Sequence, residues 1–158
     1  MDNQSCSSRV ISDVQKLDTH FDRTKKSVLF TNGCFDLLHK GHIHLLKEAR
    51  KLADIVIVGL NDDTSIRKLK GESRPIEPLS IRIEKIAALG LADFILPFSE
   101  DTPIGLIKAI LPDIILKGGD YQAEDIVGAK EVMLYGGKVI IVPLLQGYST
   151  TGIIESMK

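Results

Sequence analysis

Short apolar, mostly β-branched runs recur along the chain at Val28–Thr31, Ile55–Leu60, Phe94–Leu96, Ile114–Leu116 and Val139–Val142. None shows the polar alternation of a half-exposed strand, so each reads as a strand covered on both faces. The segments between them carry a helical period: Ile43, Leu46, Ala49 and Ala53 share one stripe, as do Ile83, Ile86, Ala87 and Gly90, then Ile104, Ile107, Ala109 and Leu111. Strand alternating with helix predicts an α/β fold, a single domain with a five-stranded parallel sheet and helices on both faces. Upstream, Val10, Ile11, Val14, Leu17 and Phe21 fit one face of an extra N-terminal helix. Residues 1–27 therefore read as a polar segment and accessory helix packed on the domain or on a partner chain, and residues 28–158 as the domain itself. The stretch Asn61–Pro78 breaks the rhythm, being polar, basic through Arg67, Lys68, Lys70 and Arg74, and closed by Pro75 and Pro78. Long basic loops in compact domains usually carry function.

Composition narrows the classes. The 158 residues suit one domain, and 44% hydrophobic with 26% charged residues excludes a disordered chain. A net charge of -1, no Trp, three Tyr and five Phe leave neither a broad basic surface nor stacking platforms, so no nucleic-acid partner is expected. Cys6 and Cys34 match no metal spacing, and no zinc-like cluster accompanies them; two thiols without a secretion signal fit a reducing, cytoplasmic compartment. No apolar run approaches the ~20 residues of a membrane span. The glycine fingerprints of phosphate-loop kinases and dinucleotide dehydrogenases, and the nucleophilic serine elbow, do not occur.

Candidate chemistry gathers where strands end. Thr31-Asn32-Gly33-Cys34-Phe35-Asp36-Leu37-Leu38-His39-Lys40-Gly41-His42 leads from the first strand into the next helix, the position at which open α/β sheets bind ligands. His39 and His42 are three apart, on one side of the first helical turn, and Gly41 removes a side chain there. Free backbone N–H groups and the helix dipole suit an anion, and two imidazoles add directed donors for phosphate oxygens. The alternative is a surface His39 and a satisfied, partly buried His42. Lys117-Gly118-Gly119-Asp120-Tyr121 follows the fourth strand; Lys117 is a point charge suited to phosphate, or an exposed lysine in a turn. Leu145–Thr151 follows the last strand, where Ser149, Thr150 and Thr151 either hold phosphate or cap a short helix from about Gly152. Lys68 or Lys70 reaches a phosphate, or the basic stretch is a solvated face.

The segment Gly33-x-Phe35-Asp36-x-Leu38-His39-x-Gly41-His42 resembles the signature of the cytidylyltransferase-like nucleotidyltransferases, whose domain is Rossmann-like. The resemblance implies that His39 and His42 contact a triphosphate about its scissile bond, that Lys70 joins them as a catalytic group, and that Asn32, Gly33, Cys34, Phe35 and Gly41 line the nucleotide. It extends nucleotide contacts to Lys68, Arg82, Lys117, Gly118 and Asp120, and to Tyr148, Ser149, Thr150 and Thr151, which resemble the family's Ser-Thr-Thr motif. No metal-ligating side chain is singled out; Mg²⁺ is expected to bridge the triphosphate. From Val28 to Lys158 the chain closely resembles the branch that makes ADP-heptose from ATP and D-glycero-β-D-manno-heptose 1-phosphate for surface glycan. The carrying residues include Val58–Asp63, Arg67–Gly71, Arg74-Pro75-Ile76, Lys117–Tyr121 and Gly147–Thr151. That resemblance implies a form standing apart from the sugar kinase fused in many relatives, and a homodimer. Two other readings stay open: a cytidylyltransferase acting on glycerol 3-phosphate or ethanolamine phosphate, and a nucleotide-binding module without turnover.

Overall fold

A computed structural model describes residues 9–143. All five expected strands form, as β2 (Val28–Gly33), β3 (Ile55–Asn61), β4 (Phe94–Phe98), β5 (Ile114–Gly118) and β6 (Lys138–Val142). The sheet has six strands rather than five, in the order β1-β4-β3-β2-β5-β6, because Arg9–Val10 forms β1 and pairs in parallel with Phe94 and Ile95 of β4. Every described pairing is parallel.

The N-terminal helix expected from residues 10 to 21 is therefore corrected to a strand followed by a six-residue 3₁₀ helix, Val14–Thr19. Asp13 is the physical reason. Its backbone is extended (φ -122°, ψ 106°) and its carboxylate accepts the N–H of Gln15, so it starts a turn instead of continuing one. The apolar positions still turn inward, with Ile11 and Leu17 joining the core. A second difference lies in the basic stretch, where Asp63–Lys70 forms helix α2. Asp62 caps it by accepting the N–H of Ser65, Ile66 is buried, and Gly71 at φ 102° ends it.

Helices cover both faces. On one, α1 (Lys40–Leu52) and α3 (Leu79–Leu89) contribute Leu46, Ala49 and Ile86 to a core with Leu29, Val56, Val58, Ile95 and Leu116. On the other, α4 (Ile104–Ile110), α5 (Ala129–Leu134) and the 3₁₀ helix enclose Val28, Phe30, Ile57 and Ile115. Adjacent residues of one strand thus feed opposite layers, which is why the strand runs are apolar throughout. From β2 the chain moves outward through β3 to β4, then returns to place β5 on the other side of β2. The carboxyl ends of β2 and β5 flank this reversal, where a parallel sheet opens a crevice.

Candidate active site

The loop leaving β2 is bent tightly. Phe35 and Leu37 lie in the left-handed region at φ 48° and 54°, a costly conformation for side chains larger than glycine's. Phe35 folds its ring back over Gly33, where an added Cβ would sit 3.1 Å from the ring, and also meets the His42 ring with centroids 5.1 Å apart. Phe35 is thus packed inside the loop.

Asp36 holds that shape. Its wholly buried carboxylate accepts the backbone N–H groups of Ile76 (2.8 Å) and Glu77 (3.0 Å) and Nε of Arg74 (3.0 Å). Burial pushes its pKa up, but these donors outweigh it and hold the carboxyl below its ordinary value. Glu77 completes the clamp by accepting the N–H of Leu37 at 3.1 Å while pairing with Lys85. Arg82 is fully buried beneath. It donates to the carbonyls of Glu77 (3.0 Å), Cys34 (2.9 Å) and Asn61 (2.6 Å) and to the Asp63 carboxylate (2.7 Å). The arginine expected at the nucleotide is placed instead as a tie between the β2 loop, the end of β3 and the start of α2.

His39 and His42 begin α1. His39 is the N-cap, its Nδ1 accepting the N–H of Gly41 at 3.0 Å, and His42 Nδ1 accepts the N–H of His39 at 3.2 Å. The rings stack, with centroids 3.7 Å apart and planes 22° from parallel. This reciprocal cap fixes the tautomers, because a ring whose Nδ1 accepts carries its proton on Nε2. Each neutral imidazole therefore has an Nε2–H donor beside the positive end of a 13-residue helix. Burial lowers the pKa of His39; burial, the neighbouring His39 and then Lys70 take His42 down to about 4.

Cations surround the loop. Lys70, at the end of α2, lies close enough for its charge to act on both His42 and Cys34. Lys68 shares that last turn, but side chains two apart on a helix point about 200° apart, so it faces elsewhere. Across the sheet edge Lys117 is half-buried, with Nζ 3.4 Å from the Asn32 carbonyl; burial lowers its pKa. Asn32 and Lys117 border a cavity of about 140 Å³ with Tyr121, Asp125 and an apolar wall. Gly118 packs against Leu45 of α1, while Asp120 is exposed beyond it. The β2 loop and the start of α1 thus bring together Asn32, Gly33, Cys34, Phe35, Gly41 and both histidines, with Lys70 and Lys117 on either side. Tyr148, Ser149, Thr150 and Thr151 lie outside the described residues. Asp36 and Arg74 stood in the sequence reading only as members of motifs, with no task of their own, and Glu77 was not singled out; a carboxylate accepting N–H groups forty residues away leaves no signal in spacing.

A pocket of oriented, neutral N–H donors, a helix N-terminus and two flanking lysines suits a polyphosphate whose charge increases during reaction. Among the described residues no three His, Cys, Asp or Glu side chains gather where they would hold a metal ion. No described helix is long and apolar enough to cross a membrane.

Comparison with known proteins agrees with this chemistry. Residues 30–156 match the family model described as cytidylyltransferase-like. The bifunctional protein HldE of Proteus mirabilis is 52% identical over 131 residues, 83% of this chain and 28% of the relative; that of Coxiella burnetii is 48% identical over 132 residues, 84% and 28%. The chain thus spans little more than a quarter of the length of these relatives. Among solved structures, the lipopolysaccharide core biosynthesis protein of Thermoplasma volcanium is 30% identical at a TM-score of 0.62, covering 78% of this chain and 99% of that one. Pantoate-beta-alanine ligase of Francisella tularensis, 17% identical at 0.64 over 87% of this chain and 67% of that one, shares the fold.

Proposed function

The chain belongs to the cytidylyltransferase-like family, and we propose that it is an adenylyltransferase that transfers AMP from ATP to D-glycero-β-D-manno-heptose 1-phosphate, giving ADP-heptose and pyrophosphate for surface glycan. The observation that carries the reading is the pair of stacked, mutually capped histidines, each with an Nε2–H donor at the start of α1. The relatives named HldE, and the Thermoplasma protein of lipopolysaccharide core biosynthesis, support the choice of acceptor.

In the proposed reaction a phosphate oxygen of the sugar phosphate attacks the α-phosphorus of ATP in line. The bond from that phosphorus to the α,β-bridging oxygen breaks, and pyrophosphate leaves with the electron pair. A phosphate monoester is already nucleophilic, so positioning and charge stabilisation dominate and no general base is needed. His39 and His42 donate to the oxygens that gain charge, and Lys70 neutralises the departing pyrophosphate from the end of α2. Lys117 and the Asn32 carbonyl border the crevice opposite. An Mg²⁺ ion held by the phosphates of ATP would supply further neutralisation of phosphate charge.

With ATP as donor, the cytoplasm is the proposed compartment of the reaction. A homodimer is also part of the proposal; exposed Met133, Leu134 and Tyr135 at the end of α5 offer an apolar patch, and sedimentation velocity tests it. The activity itself is tested by pyrophosphate release, with ATP and CTP each set against heptose 1-phosphate, glycerol 3-phosphate and ethanolamine phosphate. Turnover with ATP and the heptose phosphate is expected. Turnover confined to CTP or to another acceptor replaces the substrates, and no release with any pair favours a binding module.

A further inference from the structure

An open groove of about 470 Å³ lies away from the histidines. Ser12, Asp13 and Gln15 form one wall, ahead of and within the 3₁₀ helix; Asp62 after β3, with Ser99 and Glu100 after β4, forms the other. Leu79 and Leu106 contribute to an apolar floor. The volume is that of a small-molecule site. Three carboxylates make the groove hostile to a polyphosphate, whereas carboxylates, hydroxyls and an amide are the acceptors and donors that fix neutral hydroxyl groups. Its place matters too. β3 and β4 are the next strands after β2 on this side of the sheet, so Asp62 lies one inter-strand spacing, about 5 Å, from the line of β2, and Ser99 and Glu100 two spacings, about 10 Å. A phosphorylated sugar spans that length, with its phosphate toward Lys70 and the histidines and its hydroxyls toward the carboxylates.

We propose that this groove binds the neutral, polyhydroxylated part of the acceptor, and that the segment Ser12–Gln15 is a specificity determinant of the transfer. The inference rests on the sugar phosphate reading given above. The wall formed by Ser12 and Gln15 precedes residue 30, where the family match begins, so it is a feature of this chain beyond what that match covers. Asp13 and Asp62 also cap local helices and are poor probes; Ser12, Gln15 and Glu100 are exposed and can be changed without entering the core.

The test is calorimetric binding of D-glycero-β-D-manno-heptose 1-phosphate to the full chain in the presence of a non-hydrolysable ATP analogue, for wild type, Ser12→Ala/Gln15→Ala and Glu100→Ala. Each variant is expected to bind the sugar phosphate about tenfold more weakly, the effect of one or two lost hydrogen bonds. Affinity for the ATP analogue and the melting temperature should stay at the wild-type level. Wild-type affinity for the sugar phosphate in both variants overturns the groove assignment while leaving the transferase reading intact. Equal weakening toward the analogue also overturns it, since the wall would then act on the nucleotide or the fold. No sugar phosphate binding by the wild type overturns both.

Discussion

His42 works against its ordinary chemistry. Free histidine titrates near 6.5, yet burial and two cationic or stacked neighbours bring this ring to about 4, so it is neutral at pH 7 and donates through Nε2. An NMR titration should show a midpoint close to 4 in the free protein, and added ATP should raise it, because a bound phosphate favours the imidazolium. A free-protein midpoint at or above 6.5 would remove the neutral-donor mechanism. The sign for stability follows from the same shift. Between 6.5 and 4 the unfolded chain takes up a proton that the folded one refuses, so this residue's share of stability is complete above 6.5 and is lost as pH falls toward 4. Asp36 acts in a lower window: its folded pKa lies below the ordinary 3.8, so its contribution is present above that value and disappears as acid protonates the folded carboxylate. Asp36→Asn should therefore flatten the acid limb of an unfolding curve, and an unchanged limb would argue against the clamp. His39→Ala or His42→Ala should reduce turnover by roughly 10²-fold or more, as loss of a preorganised donor does; near-normal pyrophosphate release in both would dismiss their role.

The two elements that sequence periodicity misread, the N-terminal segment and α2, differ from the five strands in how much is decided locally. Val28–Thr31 and Ile55–Leu60 are apolar at every position, a pattern that admits burial on both faces and little else. Val10, Ile11, Val14 and Leu17 fit a helical stripe equally well, and the choice fell to one Asp13 carboxylate and to an open edge on β4. In α2, six of eight side chains are polar, so periodicity was weak, while the Asp62 cap and the Gly71 stop at its ends were the better signals. Of the candidate site, the histidine pair was legible because both residues sit within one turn; the reach of Lys70 to it was legible only as charge without direction. Arg82 illustrates the limit, since the same residue type at the same distance reads as a phosphate ligand or as a buried tie. Arg82→Met leaves the carbonyls of Cys34, Asn61 and Glu77 and the Asp63 carboxylate without their donor. The expected loss is about 3–5 kcal/mol in a denaturant titration, the scale of breaking a buried ion pair. A loss under 1 kcal/mol with a large rise in the ATP KM would return the residue to the nucleotide.

At the scale of the whole molecule, one sheet separates two packed layers, and the site occupies the edge where both end. The α1 and α3 layer carries the histidines and the Asp36 clamp; the α4 and α5 layer carries the cavity beside Lys117. Leu17 anchors the N-terminal segment to the second layer, and Leu17→Ala should cost about 2–5 kcal/mol of global stability. Retention of the wild-type melting temperature would show that this segment does not contribute to the cooperative unit. The reciprocal cap of α1 gives the molecule a conflict of interests. Imidazole is a poor cap beside serine or aspartate, whose short side chains reach the first N–H groups with less loss of freedom. A library screened only for heat resistance should thus discard His39 early, and the survivors would be sturdier proteins that lack one of the two proposed phosphate donors.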